Sequence, residues 1–259
     1  MKSRRWSWVG ACSIGSAHVR AGTGCDDRAT CLEFTDADRS VLVAVVSDGA
    51  GSADRGSVGA RIVVRHFAGA AFGFLRSGGL PSNIDEEIGR AWIDEIRDRI
   101  FSVAERATAK PRDFAATLIG VFVCDDHVSI CHVGDGACAL RRRNEQEWLI
   151  PSWPSHGEYA SSTYFVTDDP DPNLRITHVG GEFSDVAVFT DGLERLAIDF
   201  TNNLAFAPFF DPMFKPIVAL SPGRDRNLSM QLRKFLDSAK ITDRTDDDKS
   251  LVMARRIGD

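Results

Sequence analysis

Nowhere does the sequence offer the ~18 to 20 unbroken apolar residues that span a bilayer, so no membrane-embedded segment is expected. It also lacks any CxxC pair. Its six cysteines (Cys12, Cys25, Cys31, Cys124, Cys131, Cys138) stand singly, most of them inside apolar stretches where a thiol behaves as a small core residue. They read as reduced thiols of a cytoplasmic protein. A basic excess is missing too: 31 Lys and Arg face 37 Asp and Glu, giving a formal charge of -6 and a pI near 5.5. With only the short run Arg141 to Arg143 on the basic side, nucleic acid and anionic membrane are not expected partners. Arg4 and Arg5 precede a Trp, Val and Ala stretch ending at Cys12, superficially like a secretion or lipid-attachment signal. That stretch is too short, and too interrupted by Ser7 and Ser13, to be a signal core; a first β-strand is the better reading. No internal repeat or low-complexity tract is present.

What is there is an ordinary globular composition, 43% apolar and 26% charged over 259 residues, which suits a single domain spanning 1–259. Short runs rich in Val, Ile, Phe and Thr predict strands at Trp6 to Cys12, Ala29 to Phe34, Val41 to Ser47, Ala116 to Cys124, Val128 to Val133, Ala137 to Arg141, Leu174 to Val179, Val186 to Thr190 and Ser250 to Ala254. Short turns with Asp, Gly or Asn join most of them, which favours antiparallel neighbours. A helix is expected at Asn83 to Ala109, where Ile88, Trp92, Ile96, Ile100, Val103 and Ala107 form a stripe at helical spacing. A second, Ser57 to Leu75, is apolar nearly all round and stops at Ser77-Gly78-Gly79, and a third covers Asn227 to Ala239. Helices flanking two stacked antiparallel sheets make an α+β fold, a four-layer α-β-β-α sandwich. The longest irregular stretch, Pro151 to Asn173, is of a length that usually carries function.

The informative pattern is a repeated local grammar, an apolar strand that stops at a small residue followed by Asp-Gly. It occurs at Ser47-Asp48-Gly49, Gly134-Asp135-Gly136 and Thr190-Asp191-Gly192. Two further acidic clusters, Asp26-Asp27 and Asp246-Asp247-Asp248, directly precede strands. Each Asp-Gly alone is most simply a turn, because Asp caps its own backbone and Gly accepts positive φ. Five acidic strand termini gathered on one rim would instead repel one another, and cations resolve that conflict. Carboxylates without paired His or Cys suit hard, oxygen-loving Mg²⁺ or Mn²⁺ rather than zinc. Two such ions can deprotonate a shared water and stabilise in-line displacement at phosphorus, with no protein nucleophile required.

These residues resemble the metal-dependent type 2C (PPM) Ser/Thr protein phosphatases, in particular their bacterial branch. The similarity runs in order through Ser16-Ala17-His18-Val19-Arg20 with Cys25-Asp26-Asp27, Ser47-Asp48-Gly49-Ala50-Gly51-Ser52 with Gly59-Ala60, and Ala116-Thr117-Leu118. It continues through His132-Val133-Gly134-Asp135-Gly136, Gly157-Glu158-Tyr159-Ala160 before Thr163, Phe189-Thr190-Asp191-Gly192 and Asp247-Asp248-Lys249-Ser250-Leu251. The resemblance implies hydrolysis of phosphoserine and phosphothreonine in protein substrates by a water bridging two Mg²⁺ or Mn²⁺ ions. It implies that Asp48 bridges both, that the Gly49 carbonyl ligates one, and that Asp27, Asp191 and Asp247 complete the shell. Asp135 resembles the ligand of a third, weaker ion. Asp247 and Asp248 could exchange roles, since the acidic triplet leaves the register open by one.

Arg20 is the expected phosphate clamp, because guanidinium matches two phosphate oxygens; His18 could act near the phosphate or serve the backbone. Many relatives carry His directly after this Asp-Gly, where Ala50 stands here, so the leaving group needs another proton donor. Trp153 to Asp169 corresponds to a region near the site that selects substrates or packs as a cover. A monomer is expected, with a Ser/Thr kinase as the natural counterpart. Two other readings are a catalytically silent phosphatase-like regulator that binds phosphoprotein or a partner, and a different metal hydrolase such as a nuclease or nucleotide phosphatase.

Overall fold

A computed structural model describes residues 5–36, 39–155 and 163–257. One sheet consists of β1 (Arg5–Ser13), β6 (Ala137–Arg142), β7 (Trp148–Leu149), β9 (Phe183–Phe189), β12 (Gly223–Arg224) and β13 (Lys249–Ile257), in the order β12-β1-β13-β9-β6-β7. The other holds β2 (Arg28–Thr35), β3 (Ser40–Ser47), β4 (Leu118–Val123), β5 (His127–Val133) and β8 (Arg175–Gly180), in that order. A minimal ladder pairs β10 (Ile198–Asp199) with β11 (Leu204–Ala205). Every pairing is antiparallel except the two-residue contact of β12 with β1. All nine strands expected from the sequence are present.

Three apolar layers hold the sandwich together. β3 shows why its sequence is an unbroken apolar run. Val41, Val43 and Val45 face the long helices α2 (Gly56–Arg76) and α3 (Glu86–Arg106), while Leu42, Ala44 and Val46 face the opposite sheet. The inter-sheet layer adds Ile119, Val121, Cys138, Leu140, Val188 and Val252. The far face of the six-stranded sheet, through Val9, Ala139, Phe189 and Met253, is covered by α4 (Glu194–Ala197), α5 (Ala207–Phe214), α6 (Arg226–Leu236) and α7 (Ala239–Thr242). These layers are the α-β-β-α sandwich. By length and composition α2 could cross a membrane; half of its most apolar window is buried, and it lies in the core under α3.

The structure differs from the sequence reading in the small elements. α1 (Ser16–Ala21) was not foreseen: none of its residues is buried, and its last turn ends on Gly22 at φ 69°. α5 carries Pro212 inside it, and Asn227 to Ala239 is two helices, α6 and then α7. Gly157-Glu158-Tyr159-Ala160 lies outside the described residues. All six cysteines are free. The Arg141 to Arg143 run is tied into the fold, Arg141 pairing with Asp185 at 2.9 Å and Asp211 at 3.0 Å, and Arg143 with Glu182 at 3.1 Å.

Candidate active site

Strand register places the acidic residues. Arg28 of β2 pairs with Ser47 of β3, so Asp27, one residue before, and Asp48, one residue after, meet at the same end of the five-stranded sheet. In the other sheet Leu251 and Ala137 both pair with Phe189. The segments beyond those pairs carry Asp247, Asp191 and Asp135 on three adjacent strand ends. The two groups are stitched across the sandwich by Thr190, whose Oγ1 donates to Asp27 Oδ2 at 2.6 Å and accepts from the Ser250 amide at 2.9 Å. On the other side, the Asp48 amide donates to Thr117 Oγ1 at 2.9 Å and the Asp48 carbonyl accepts from the Thr117 amide at 2.8 Å. Thr117, Thr190 and the buried Lys249 were not singled out from the sequence. Lys249 Nζ donates to the carbonyls of Ile14 at 3.2 Å and Asp247 at 3.0 Å, clamping the chain before α1 to the acidic triplet.

Asp48, Gly49, Ala50, Asp135, Asp191 and Asp247 line one cleft of about 350 Å³, together with His18, Thr163 and Phe165. Asp27 lies fully buried beneath it. Burial pushes the Asp27 carboxyl up to about 7. Burial first, then repulsion from Asp27 and Asp191, holds Asp48 well above the carboxylate range, and Asp191 is raised by burial and then by Asp135 and Asp247. Oδ1 of Asp27 and Oδ1 of Asp191 are buried without any hydrogen-bond donor. Among the described residues no three His, Cys, Asp or Glu side chains form a ready-made ion cluster. The donor set nonetheless fits a hard cation: all lining acids are carboxylates, their charge is unbalanced, and two buried oxygens lack partners.

The acidic triplet divides its work. Asp247 lines the cleft, whereas the buried Asp248 carboxylate accepts from the amides of Gly15 and Asp26 at 2.5 Å each. Asp248 thereby fixes the loop that carries Asp27. It also meets His18 Nδ1 at 3.0 Å, and the same nitrogen lies 3.0 Å from the Gly24 carbonyl. Burial works against the imidazolium, but Asp248 and Asp26 outweigh it and raise the His18 pKa.

Arg20 does not line the cleft. Its guanidinium donates to Ser16 Oγ at 3.1 Å and Asp246 at 3.2 Å, with the side chain 66% exposed. The reason is α1: in an extended segment residues 18 and 20 would share a face, but two residues on a helix turn about 200°. His18 faces the cleft and Arg20 turns away.

The glycines after each Asp also differ from expectation. Gly49, Gly136 and Gly192 do not have positive φ; the positive value, 107°, belongs to Gly134. What they require is space. A Cβ on Gly49 would lie 2.3 Å from the Gly56 carbonyl carbon, and one on Gly192 would lie 1.9 Å from the Asp248 carbonyl oxygen.

A family model described as Protein phosphatase 2C matches residues 14–237. Asp247 lies beyond that match. The chain is 32% identical over 251 residues to Serine/threonine-protein phosphatase 3 of Escherichia coli strain K12, covering 96% of this chain and 98% of that protein. The fold is similar to that of PppA of Pseudomonas aeruginosa, with TM-score 0.64, 13% identity and 98% of each chain covered. It is also similar to Stp1 of Staphylococcus aureus, with TM-score 0.59, 15% identity and coverage of 97% and 95%. A third solved structure, RsbX in complex with magnesium, aligns at TM-score 0.56 and 13% identity over 99% of this chain and 98% of that one.

Proposed function

Since this chain belongs to the protein phosphatase 2C family and is a Ser/Thr phosphoprotein phosphatase, we propose that it cleaves phosphoserine and phosphothreonine esters using two Mg²⁺ or Mn²⁺ ions. The observation that carries the proposal is the cleft in which Asp48, Asp135, Asp191 and Asp247 meet above the buried Asp27, with unpartnered carboxylate oxygens. When bound, such ions supply Lewis acidity, lowering the pKa of water and offsetting charge on phosphoryl oxygens.

Asp48 would hold both ions, with the Gly49 carbonyl on one of them. Asp27, Asp191 and Asp247 would complete the set, and Asp135 would serve a weaker third. Asp247 would be the ligand of its triplet, because Asp248 is already committed to two amides and His18. Thr190 and Thr117 hold Asp27 and Asp48 at fixed separation as charge builds. We assign residues 1–259 to one catalytic domain acting on cytoplasmic phosphoproteins.

His18 takes the cationic position that Arg20 does not fill. Its Nδ1 is held by Asp248 and the Gly24 carbonyl, so Nε2 is the atom left for a phosphate oxygen. Protonated, it offsets negative charge and can donate to the departing seryl oxygen, a role open because Ala50 stands after Asp48-Gly49. His18→Ala is expected to lower kcat/KM for a phosphopeptide by roughly 10- to 100-fold, the size of a ~1.5 to 3 kcal/mol charged hydrogen bond. Arg20→Ala, which breaks only an exposed ion pair, should change it by no more than about twofold. Steady-state kinetics of the two variants side by side decides, and the reverse ranking would restore Arg20 as the clamp.

The direct test of the function is a substrate panel. Phosphoserine and phosphothreonine peptides should be hydrolysed with Mn²⁺ or Mg²⁺ and not with EDTA, well ahead of nucleotides. Preferential nucleotide hydrolysis, or peptide hydrolysis unaffected by chelator, would refute it.

A further inference from the structure

β2 is one of the two edge strands of the five-stranded sheet. It pairs with β3 without interruption from Arg28↔Ser47 to Thr35↔Ser40, and among the described residues no main-chain hydrogen bond reaches its other side. An eight-residue edge of this kind presents about 27 Å of alternating amides and carbonyls to any chain that can lie along it.

The two flanks of this edge are grooves of the same chemical character. On the side of α6 a groove of about 780 Å³ is lined by Trp8, Cys31 and Met230 and by Arg224, Arg226 and Arg233. On the side of α2 a groove of about 480 Å³ is lined by Leu32, Val64 and Phe72 and by Arg28, Arg61 and Arg65. Each combines an apolar floor with three arginines, in a chain whose net charge is -6. These arginines are mostly uncommitted. Arg61, Arg65 and Arg226 have no ion-pair or side-chain hydrogen-bond partner among the described residues. Arg224 reaches only the Gly10 carbonyl at 3.5 Å, and Arg233 lies 4.0 Å from Asp237. The carboxylate on the strand itself, Glu33, is 2% exposed and already bound by Arg5 at 2.9 Å and Ser40 at 2.7 Å.

The edge also leads to the cleft. β2 starts at Arg28, the residue after Asp27, and the Arg28 guanidinium donates to the carbonyls of Cys25 at 2.8 Å and Asp27 at 2.6 Å. A chain added to this edge therefore ends beside the carboxylates.

From this we infer that the β2 edge is a docking track for an extended acidic segment of the phosphoprotein substrate, which adds as a sixth strand and delivers the adjoining phosphorylated residue to the cleft. Alternate side chains of such a segment fall into the two grooves, where Asp or Glu meets arginine and apolar residues meet Leu32, Phe72 or Met230. The inference rests on the phosphatase reading above and narrows its substrate class.

Three phosphothreonine peptides test it, differing only in an eight-residue arm. One arm repeats Glu-Glu-Val-Val, which puts both residue types on each face of the strand, one repeats Gln-Gln-Val-Val, and one repeats the acidic arm with alternate amides N-methylated. Wild-type enzyme should show a KM for the acidic peptide roughly tenfold below that for the neutral one, at similar kcat. The difference should vanish in Arg61→Glu/Arg65→Glu and in Arg226→Glu/Arg233→Glu, and N-methylation should abolish most of it. Hydrolysis of p-nitrophenyl phosphate should be unchanged in both variants, since none of these four residues lines the cleft.

Fluorescence anisotropy of the same arms without phosphate reads the edge even if turnover fails, so loss of catalysis alone counts against the phosphatase reading and not against docking. Equal affinity for acidic and neutral arms would overturn the inference, as would an acidic preference that survives both charge reversals or full binding of the N-methylated arm. Preferential capture of phosphatidylserine vesicles or of a single-stranded oligonucleotide would assign the arginines to another polyanion and equally overturn it.

Discussion

Asp48→Asn should lower phosphopeptide turnover by roughly a thousandfold, about 4 kcal/mol at ~1.4 kcal/mol per decade, while making the metal-free protein more stable. Both outcomes have one cause. Asp48 carries a crowded charge in the cleft, raised by burial and by Asp27 and Asp191 together. An amide of the same shape removes that repulsion and can donate to the lone Oδ1 of Asp27. It also removes the carboxylate proposed above to serve both cations.

The sign of the accompanying pH dependence follows from Asp27. Its folded pKa of about 7 lies above that of the unfolded chain, near 3.9, so the folded state holds its proton more tightly. Stability of the metal-free protein from this group is present below about pH 4 and is lost as pH rises toward about 7. Cations bind the ionised form, so the rise in Tm caused by Mn²⁺ should be larger at pH 7.5 than at pH 5.5. In Asp48→Asn both the Mn²⁺ response and much of the metal-free pH dependence should flatten. Differential scanning fluorimetry across that range with and without Mn²⁺ reads both. A variant that keeps turnover and its Mn²⁺ response would remove Asp48 from the centre of the site.

The parts of this molecule that were legible in its sequence are those where the pattern is long. β3 is apolar from Val41 to Val46 because both of its faces are buried, and α3 declares itself by Ile88, Trp92, Ile96, Ile100 and Val103 at helical spacing. The acidic strand ends were legible as a set, because three of them share one grammar and two further acidic clusters directly precede strands. What was not legible depends on contacts made by other parts of the chain. α1 has no buried stripe to announce it; it is held by the Ala17 amide on the Asp246 carbonyl and by its Gly22 terminus. Without α1, no periodicity could say that His18 and Arg20 face opposite ways. Likewise Asp247 and Asp248 are equivalent as letters, and only the amides of Gly15 and Asp26 distinguish them.

The glycines carry the same lesson to a measurable end, since Asp-Gly in a sequence suggests a turn residue and here denotes a close approach of two main chains. Gly192→Ala should therefore be more damaging than its chemistry suggests. Its Cβ would fall 1.9 Å from the Asp248 carbonyl oxygen, backbone that cannot rotate aside, and 3.3 Å from Lys249. Relief requires the end of β9 to move away from the start of β13, which is the separation that holds Asp191 near Asp247. The expected loss is about 3 kcal/mol or more in urea unfolding, with the Mn²⁺ stabilisation and turnover abolished even where the fold persists. Gly69→Ala is the control, because Gly69 sits in α2 and a Cβ there meets nothing within 4 Å. Helix propensity alone should make that variant neutral or more stable by about 0.5 to 1 kcal/mol. If Gly192→Ala instead unfolds like the wild type and still responds to Mn²⁺, the two strand ends are not rigidly coupled, and metal geometry must be set by the side chains rather than by the register of the sheet.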